Sequence, residues 1–267
     1  NPDTCNLNPE IAPVIMVVED IEINMLLAAT FINQLIPNAK IIEAQNGKKC
    51  LDFLNSHKPD IILMDIQMPE MDGLEATKQI RALESKKSGH IPIIALTAEA
   101  IKGEKEKYQA AGMDDYLTKP IARENLKKIF EKYLNQSPLN NQSPQTESNP
   151  NTDLHFDKTA LLQRIENNLT FYQKLLSIAP SQIQNYLTSL KESIHNHKKD
   201  QIKISAHSIK GISLQMNFNI LAEIALKIEE KALEEQPAGL EKLFCELSSE
   251  WEKIELLLKK EGLAGFF

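Results

Sequence analysis

Two different patterns of hydrophobic and polar residues divide the chain. In its first half, short apolar runs alternate with stretches in which apolar residues recur every three or four positions. The short runs predict strands, and the spaced pattern predicts amphipathic helices. The predicted strands are 13–18, 39–44, 60–64, 92–97 and 115–118, and the predicted helices lie near 22–35, 47–56, 73–84, 101–111 and 122–134.

This alternation predicts the fold of the first half. Five repeats of strand followed by helix favour a parallel sheet that is covered by helices on both faces. The first four runs are nearly continuous in apolar residues, as expected for strands buried on both faces. Parallel strands bring their carboxyl ends to one edge of the sheet, and we therefore expect polar chemistry to collect at that edge.

The second half shows only the helical pattern. Its apolar residues recur at three- and four-residue spacing, and long helices with short joints favour an all-α antiparallel bundle. Asp157 is the expected N-cap of the first of these helices. The predicted helices lie near 157–166, 168–191, 199–216, 218–235 and 238–260.

A polar segment separates the two halves. Residues 135–153 contain one apolar residue, Leu139, and three prolines among Asn, Gln, Ser and Thr. Such a composition cannot bury enough surface to offset the entropy of ordering the chain. We therefore expect a first domain over 11–134, a flexible linker over 135–153 and a helical domain over 154–262.

Length and charge exclude some classes of function but do not identify the function. At 267 residues the chain is long enough for two domains that each bury a core. Its net charge of −7 argues against a broad nucleic-acid or membrane-surface role, because both need clustered basic residues. No apolar run approaches the roughly 18 residues of a membrane span, so we expect no membrane contact by this segment.

The cysteines and the first residue add two expectations. Cys5, Cys50 and Cys245 are widely spaced and form no metal-binding cluster in the sequence, which favours a reducing, cytoplasmic location. The sequence begins at Asn1 rather than at methionine, and we expect it to be a piece of a longer chain or a processed product.

Polar residues follow the predicted strands at their carboxyl ends. Glu19 and Asp20 follow the first strand, and Asp65 follows the third. Thr97 ends the fourth strand and Lys119 follows the fifth. Grouped carboxylates repel one another and lose hydration, so a cation is expected beside them, and their oxygen atoms suit Mg²⁺. With that charge neutralised, one carboxylate could attack a phosphoryl group whose oxygens an ammonium and a hydroxyl would hold.

These strand-end residues, together with Pro120 and the segment "DIQMPEMDG", resemble the receiver domain of two-component response regulators. The resemblance covers about residues 12–134 and implies a flavodoxin-like fold with a five-stranded parallel sheet. It also implies that Asp65 is the phospho-acceptor and that Thr97 and Lys119 contact the phosphoryl group.

The resemblance further assigns a metal site and a switch. Tyr116 occupies the position of an aromatic switch that moves with Thr97, although a buried strand tyrosine explains this residue equally well. The residues that the resemblance assigns to Mg²⁺, as ligands or as their support, are Glu19, Asp20, Asp65 and the backbone carbonyl of Gln67.

A competing class of phosphoryl-transfer proteins also places an aspartate nucleophile after a strand. These are the haloacid-dehalogenase-like phosphatases, which need a second aspartate two residues later as a general acid. This chain has Gln67 at that position, which argues against a phosphatase.

The stretch "SAHSIKGIS" places His207 on a predicted helix with unusual neighbours. With about 100° per residue, the apolar stripe of this helix lies opposite His207, while Lys203, Lys210, Gly211 and Leu214 lie within about 60° of it. We therefore expect an exposed histidine, and an inert surface histidine is the structural alternative. A neutral, accessible imidazole is a good nucleophile toward phosphorus, and Lys210 could hold the phosphoryl oxygens. The mid-helix Gly211 costs about 1 kcal/mol relative to Ala, which suggests that a side chain there would obstruct an approaching group.

The same stretch resembles the histidine phosphotransfer (HPt) domain through the pattern H-x-x-K-G. "FDKTALLQRI" and "FYQKLL" extend this resemblance over about residues 154–260. It implies that His207 is a second phospho-acceptor and that Gly211 and Leu214 face a docking partner. The family often has a glycine ten residues after the histidine, where this chain has Asn217, the next-best residue for a positive φ.

The order of receiver followed by HPt resembles the C-terminal part of hybrid sensor histidine kinases. It implies a phosphorelay module in which Asp65 receives a phosphoryl group from a kinase histidine. His207 then exchanges a phosphoryl group with a receiver aspartate, either on this chain or on another protein. The expected partners are the phosphotransfer domain of a histidine kinase and the receiver domain of a downstream response regulator.

Two questions stay open from the sequence. No segment resembles an ATP-binding kinase domain, so whether the chain is itself an enzyme is undecided. The alternative function is a binding scaffold that is phosphorylated but transfers nothing through His207.

Overall fold

Two compact units make up the chain, Asn1–Gln145 and Thr146–Phe267. The computed structural model describes residues 5, 12–84, 89–98, 104–134, 155–234 and 239–260. The predicted linker at 135–153 lies outside these residues, and so do 101–103, where the fourth predicted helix begins.

The first unit alternates strands and helices, and its strands form one parallel sheet in the order β2-β1-β3-β4-β5. The predicted five-stranded parallel sheet is therefore confirmed. The strands are β1 Val14–Val18, β2 Lys40–Ala44, β3 Ile61–Asp65, β4 Ile93–Thr97 and β5 Asp115–Thr118. The helices are α1 Glu22–Leu35, α2 Gly47–Leu54, α3 Gly73–Glu84, α4 Glu104–Ala111 and α5 Arg123–Leu134.

The position of each strand in the sheet determines its burial. Every residue of β3 and β4 is buried, as is β1 after its first residue. The expectation that the first four strands are buried on both faces is wrong for β2. That strand lies at the edge of the sheet and exposes Lys40 and Glu43, whose charges suit an edge.

One face of the sheet packs against α2, α3 and α4. Met16, Met64 and Ala95 of the central strands share a buried cluster with Ala76 of α3 and Tyr108 of α4. Burial of these apolar side chains fixes the helices against the sheet and hence the loops that follow each strand.

Among the described residues of the second unit, all regular elements are helices. Its helices are α6 Lys158–Arg164, α7 Leu169–His195, α8 Lys199–Met216, α9 Asn219–Lys231 and α10 Leu240–Leu258. The helix α8 packs against both α7 and α9, and α10 packs against α9 and α7. Among the described residues, no helix combines the length and the apolar character that crossing a bilayer requires.

The ends of these helices follow the sequence. Asp157 is the N-cap of α6, as predicted, and its side chain accepts a hydrogen bond of 2.9 Å from the backbone N–H of Ala160. The helix α8 ends at Asn217, which has a left-handed conformation with φ of 57°. Asparagine tolerates such a positive φ better than most residues.

Candidate functional site

The sheet brings the strand-end residues together at its carboxyl edge. Glu19 and Asp20 directly follow β1, and Asp65 is the last residue of β3. Ligand atoms of these three carboxylates all lie within 4.8 Å of one another. Thr97 is the last residue of β4, and its carbonyl oxygen accepts a hydrogen bond of 2.6 Å from the N–H of Lys119, which follows β5.

The ammonium of Lys119 is held by two of these carboxylates. It donates to Oδ2 of Asp65 and to Oε2 of Glu19, at 2.7 Å in each case, and the residue is only 4% exposed. Burial alone opposes the charged form, but the charges of Asp65 and Glu19 outweigh it and raise the pKa of Lys119. The ammonium therefore stays charged at the aspartate that the sequence analysis assigns as phospho-acceptor.

The carboxylates outnumber the ammonium that contacts them. Burial, followed by the charge of Asp65, raises the pKa of Glu19 to about 8 and that of Asp20 to about 7. Both atoms Oε1 and Oε2 of Glu19 already accept hydrogen bonds, from Asn24 and Lys119 respectively. In contrast, Oδ1 of Asp20 is buried without a hydrogen-bond partner among the described residues.

This donor set fits a divalent cation. Three carboxylates and one ammonium leave two negative charges when all are ionised, and oxygen ligands are those that Mg²⁺ prefers. The unpartnered oxygen of Asp20 is the kind of buried polar atom that a bound ion satisfies. Gln67 lies two residues after Asp65 in the loop between β3 and α3.

That loop is held close to Asp65 by a glycine. Gly73 begins α3, and its N–H donates a hydrogen bond of 2.9 Å to the carbonyl of Ile66. A Cβ atom at Gly73 would lie 2.1 Å from the backbone oxygen of Asp65. Only glycine allows this approach of α3 to the end of β3.

Two polar partners in this site were missed by the sequence reasoning. Asn24 of α1 orients Glu19 through a hydrogen bond of 2.9 Å, and Tyr108 of α4 places its hydroxyl 2.9 Å from Oγ1 of Thr97. Asn24 carried a signal, because it is a polar residue among the buried residues of α1. Tyr116 is half-buried against the core of the sheet.

On α8 the structure corrects one expectation. His207 is 7% exposed, Lys210 is 5% exposed and Gly211 is buried, whereas the helical wheel predicts an exposed face for all three. The prediction is wrong because α8 packs against both α7 and α9, so its neighbours cover both sides of the helix. Leu214 is half-buried on the same helix.

A glutamate from α9 accounts for the burial of these polar side chains. Oε1 of Glu229 lies 3.1 Å from Nδ1 of His207, and Oε2 lies 2.6 Å from Nζ of Lys210. Burial opposes ionisation of this carboxyl, but the hydrogen bond from His207 and the charge of Lys210 outweigh it and lower the pKa of Glu229 to about 2. Glu229 was not predicted from the sequence, although it follows the buried Ala222 and Ala225 at helical spacing.

The carboxylate of Glu229 also determines which nitrogen of a neutral His207 carries the proton. A proton on Nδ1 donates to Oε1 of Glu229, so the neutral imidazole has an unprotonated Nε2. The imidazole is therefore held by a carboxylate at Nδ1, with the ammonium of Lys210 on the next turn of the helix.

The chain matches the family model of the response regulator receiver domain over residues 15–131. It is 47% identical over 122 residues to hybrid signal transduction histidine kinase I of Dictyostelium discoideum. These residues are 44% of this chain and 7% of that kinase. The chain thus spans a small part of that kinase.

A shorter relative and a solved structure match the same unit. One solved structure is the receiver domain of sensor histidine kinase PA1611 of Pseudomonas aeruginosa, with magnesium in its active site cleft. It is 33% identical to this chain and has a TM-score of 0.42. The match covers 46% of this chain and 98% of the PA1611 receiver domain. The polar-differentiation response regulator DivK of Brucella anthropi is 40% identical over 120 residues, which are 45% of this chain and 94% of DivK. Because nearly all of DivK is matched at this identity, the chain belongs, through its first unit, to the response regulator receiver domain family.

Proposed function

We propose that the first unit accepts a phosphoryl group on Asp65 from a phosphohistidine of a histidine kinase. The observation that carries this proposal is the buried contact of Lys119 with Asp65 and Glu19, beside an unpartnered oxygen of Asp20. Such a site combines a nucleophilic carboxylate, a fixed positive charge and oxygen atoms that could bind a cation.

The transfer balances as a simple displacement at phosphorus. A carboxylate oxygen of Asp65 attacks, a P–O bond forms, and the P–N bond to the donor imidazole breaks. The imidazole nitrogen keeps the electron pair and is protonated from solvent. Lys119 and the hydroxyl of Thr97 stabilise the charge that spreads over the phosphoryl oxygens.

Mg²⁺ is the proposed cofactor of this step. Asp20, Asp65 and the backbone carbonyl of Gln67 would hold it, and Glu19 would support them through Lys119. When bound, the ion neutralises the carboxylates and the phosphoryl oxygens. Asn24 keeps the carboxylate of Glu19 oriented toward the ammonium.

We further propose that the second unit is a histidine phosphotransfer bundle in which Nε2 of His207 accepts a phosphoryl group from a receiver aspartate. In that step the P–O bond of the aspartyl phosphate breaks and a P–N bond forms. The carboxylate of the donor aspartate leaves with the electron pair. Glu229 accepts a hydrogen bond from the Nδ1–H group and stabilises the positive charge that develops on the ring, while Lys210 pairs with the phosphoryl oxygens. Gly211 and Leu214 would lie in the docking surface.

The two units together are proposed to be a phosphorelay module from the C-terminal part of a hybrid sensor histidine kinase, placed in the cytoplasm. Its partners would be the phosphotransfer domain of a kinase and the receiver domain of a response regulator. The donor to His207 is either Asp65 or an aspartate of another protein.

A second candidate function is favoured by the burial of His207, which is 7% exposed. In this alternative the chain is a scaffold whose partner affinity changes when Asp65 is phosphorylated, and no phosphoryl group passes through His207.

Phosphoryl labelling separates these functions, because an acyl phosphate is labile to base and a phosphohistidine is labile to acid. With a small acyl-phosphate donor and Mg²⁺, we expect base-labile label that Asp65→Asn abolishes. With a phosphorylated receiver as donor, we expect acid-labile label that His207→Gln abolishes without affecting Asp65. If Asp65 is left unlabelled by an acyl phosphate with Mg²⁺ or by a cognate kinase, the proposal that Asp65 accepts a phosphoryl group is overturned. If His207 is never labelled, whichever phosphorylated receiver is supplied, the scaffold function is supported instead.

A further inference from the structure

An asparagine on α1 is linked to the proposed phospho-acceptor by three consecutive polar contacts. Nδ2 of Asn24 donates to Oε1 of Glu19 at 2.9 Å. Oε2 of Glu19 accepts from Nζ of Lys119, which also donates to Oδ2 of Asp65, at 2.7 Å in each case. We infer that Asn24 is a positioning residue for phosphoryl acceptance, because it fixes the glutamate that holds the ammonium of Lys119. This inference rests on the proposed function of Asp65.

The carboxylate of Glu19 needs such a contact to remain directed at the ammonium. A glutamate side chain has several rotatable bonds, and holding it in a single conformation costs entropy. Besides the bond from Asn24, Oε1 of Glu19 accepts a bond of 3.3 Å from the N–H of Ile21, which is longer and therefore weaker. Asn24 thus supplies the stronger of the two contacts that fix Oε1 and direct Oε2 at Lys119.

The position of Asn24 within α1 argues against a role in packing. The residue is 1% exposed and lies among the buried apolar residues Ile23, Leu27 and Ala28. Among the described residues its Oδ1 atom has no hydrogen-bond partner, and a buried polar atom without one lowers stability. A leucine would avoid that cost and has the higher helix propensity. The amide is therefore explained by its bond to Glu19 and not by the stability of α1.

Asn24 acts on the part of the site that contacts the phosphoryl group, not on the part that would hold the metal. Both oxygens of Glu19 already accept hydrogen bonds, from Asn24 and Ile21 at one atom and from Lys119 at the other. The buried oxygen without a partner belongs to Asp20 instead. Loss of the amide should therefore slow the transfer step, which uses the ammonium, and leave the Mg²⁺ requirement unchanged.

Asn24→Leu tests the inference in the full chain, because it removes the amide donor and keeps a side chain of similar size. The measurement is the rate at which a small acyl-phosphate donor labels Asp65 over a range of Mg²⁺ concentrations. We expect the maximal rate to fall about 3- to 10-fold, which corresponds to one lost hydrogen bond. The Mg²⁺ concentration that gives half of the maximal rate should not change.

Gln79→Met is the matched control, because it also removes an amide that donates to a glutamate. Nε2 of Gln79 bonds Oε1 of Glu75 at 2.8 Å, and both residues lie on α3. This pair is exposed and contacts none of the strand-end residues through that bond. Labelling of this variant should match the wild type in both the maximal rate and the Mg²⁺ requirement.

A double-mutant comparison separates positioning from a general structural effect. In a Lys119→Met background, Asn24→Leu should slow the labelling no further, because it acts only through the ammonium. The inference is overturned by a wild-type rate in Asn24→Leu alone, by an equal further loss in the Lys119→Met background, or by a higher Mg²⁺ requirement. If the wild-type chain itself is not labelled on Asp65, the proposed function has failed.

Discussion

The two candidate acceptor sites both hold a buried lysine beside a buried glutamate, yet their charges balance differently. At the strand ends, Lys119 contacts two carboxylates and a third lies within the same cluster. On α8, the single carboxylate of Glu229 lies between Lys210 and His207. One site therefore has an excess of negative charge, whereas the other pairs its single carboxylate with one ammonium and one imidazole.

The pKa values of the two glutamates follow from this difference. Burial and the charge of Asp65 raise the pKa of Glu19 to about 8. Against the effect of burial, His207 and Lys210 lower the pKa of Glu229 to about 2. The same residue type at similar burial thus shows opposite shifts because its neighbours differ in charge. The comparison predicts that the strand-end site responds to a cation and that the α8 site is complete without one.

Lys119→Met should produce the largest effect, because it removes the ammonium that contacts both Asp65 and Glu19. Removing a charge that stabilises a transferring group costs about 100- to 1,000-fold in rate. We expect Asp65 to be labelled by an acyl-phosphate donor with Mg²⁺ at least about 100-fold more slowly, as measured in a labelling time course.

Lys132→Met is the control for loss of a lysine from the same unit. Its side chain is 48% exposed and pairs with Asp115 at 2.8 Å, and exposed pairs of this kind contribute about 0–1 kcal/mol. Labelling of this variant should match the wild type. A Lys119→Met protein that is labelled at the wild-type rate would contradict the assignment of the strand-end site.

Glu229→Gln should destabilise the helical unit at neutral pH, because it takes the carboxylate from the ammonium of Lys210 and from the ring N–H of His207. We expect a loss of about 1–3 kcal/mol in the free energy of unfolding, the range for hydrogen bonds to charged groups. The measurement is urea unfolding followed by the fluorescence of Trp251, which is the chain's one tryptophan and lies in α10.

The pH dependence of this loss has a definite sign. Glu229 has a folded pKa of about 2, below its ordinary 4.5, so its stabilisation is present above pH 4.5 and is lost as pH falls toward 2. The difference in the free energy of unfolding between wild type and Glu229→Gln should therefore become smaller as the solution is acidified below pH 4.5. Glu246→Gln is the control, because that side chain is 49% exposed and its carboxylate lies as far as 4.0 Å from the ammonium of Lys242. A difference in unfolding free energy that stays constant down to the lowest pH at which both proteins fold would contradict the role given to the ionised carboxylate of Glu229.

The comparison also shows what the sequence could predict. The strand ends were predictable because parallel strands share one edge, so Asp65 and Lys119 meet although 54 residues separate them. Single-helix geometry was not sufficient for His207. A wheel of one helix contains no information on how many neighbours surround it, and α8 lies against both α7 and α9.

The missed residues share a physical reason. Glu229 and Tyr108 act through contacts with residues 22 and 11 positions away, on other elements. Such pairings depend on how helices pack, and each partner alone looks like an ordinary helical residue. The buried positions of Glu229 and Asn24 in otherwise apolar stripes are the sequence signal that would have pointed to them.

Mg²⁺ should give the smallest of these effects and the sharpest contrast between the two units. A ligand that binds only the folded state stabilises it by RT ln(1 + [L]/Kd), so about ten times the dissociation constant adds about 1.4 kcal/mol. We expect this gain in the unfolding transition of the first unit, followed by circular dichroism, and none in the transition reported by Trp251. Asp20→Asn removes the negative charge of the side chain that has an unpartnered oxygen, and it should abolish the gain. A Mg²⁺-dependent shift of the Trp251 transition, or an unaltered gain in Asp20→Asn, would show that excess negative charge does not distinguish the two sites.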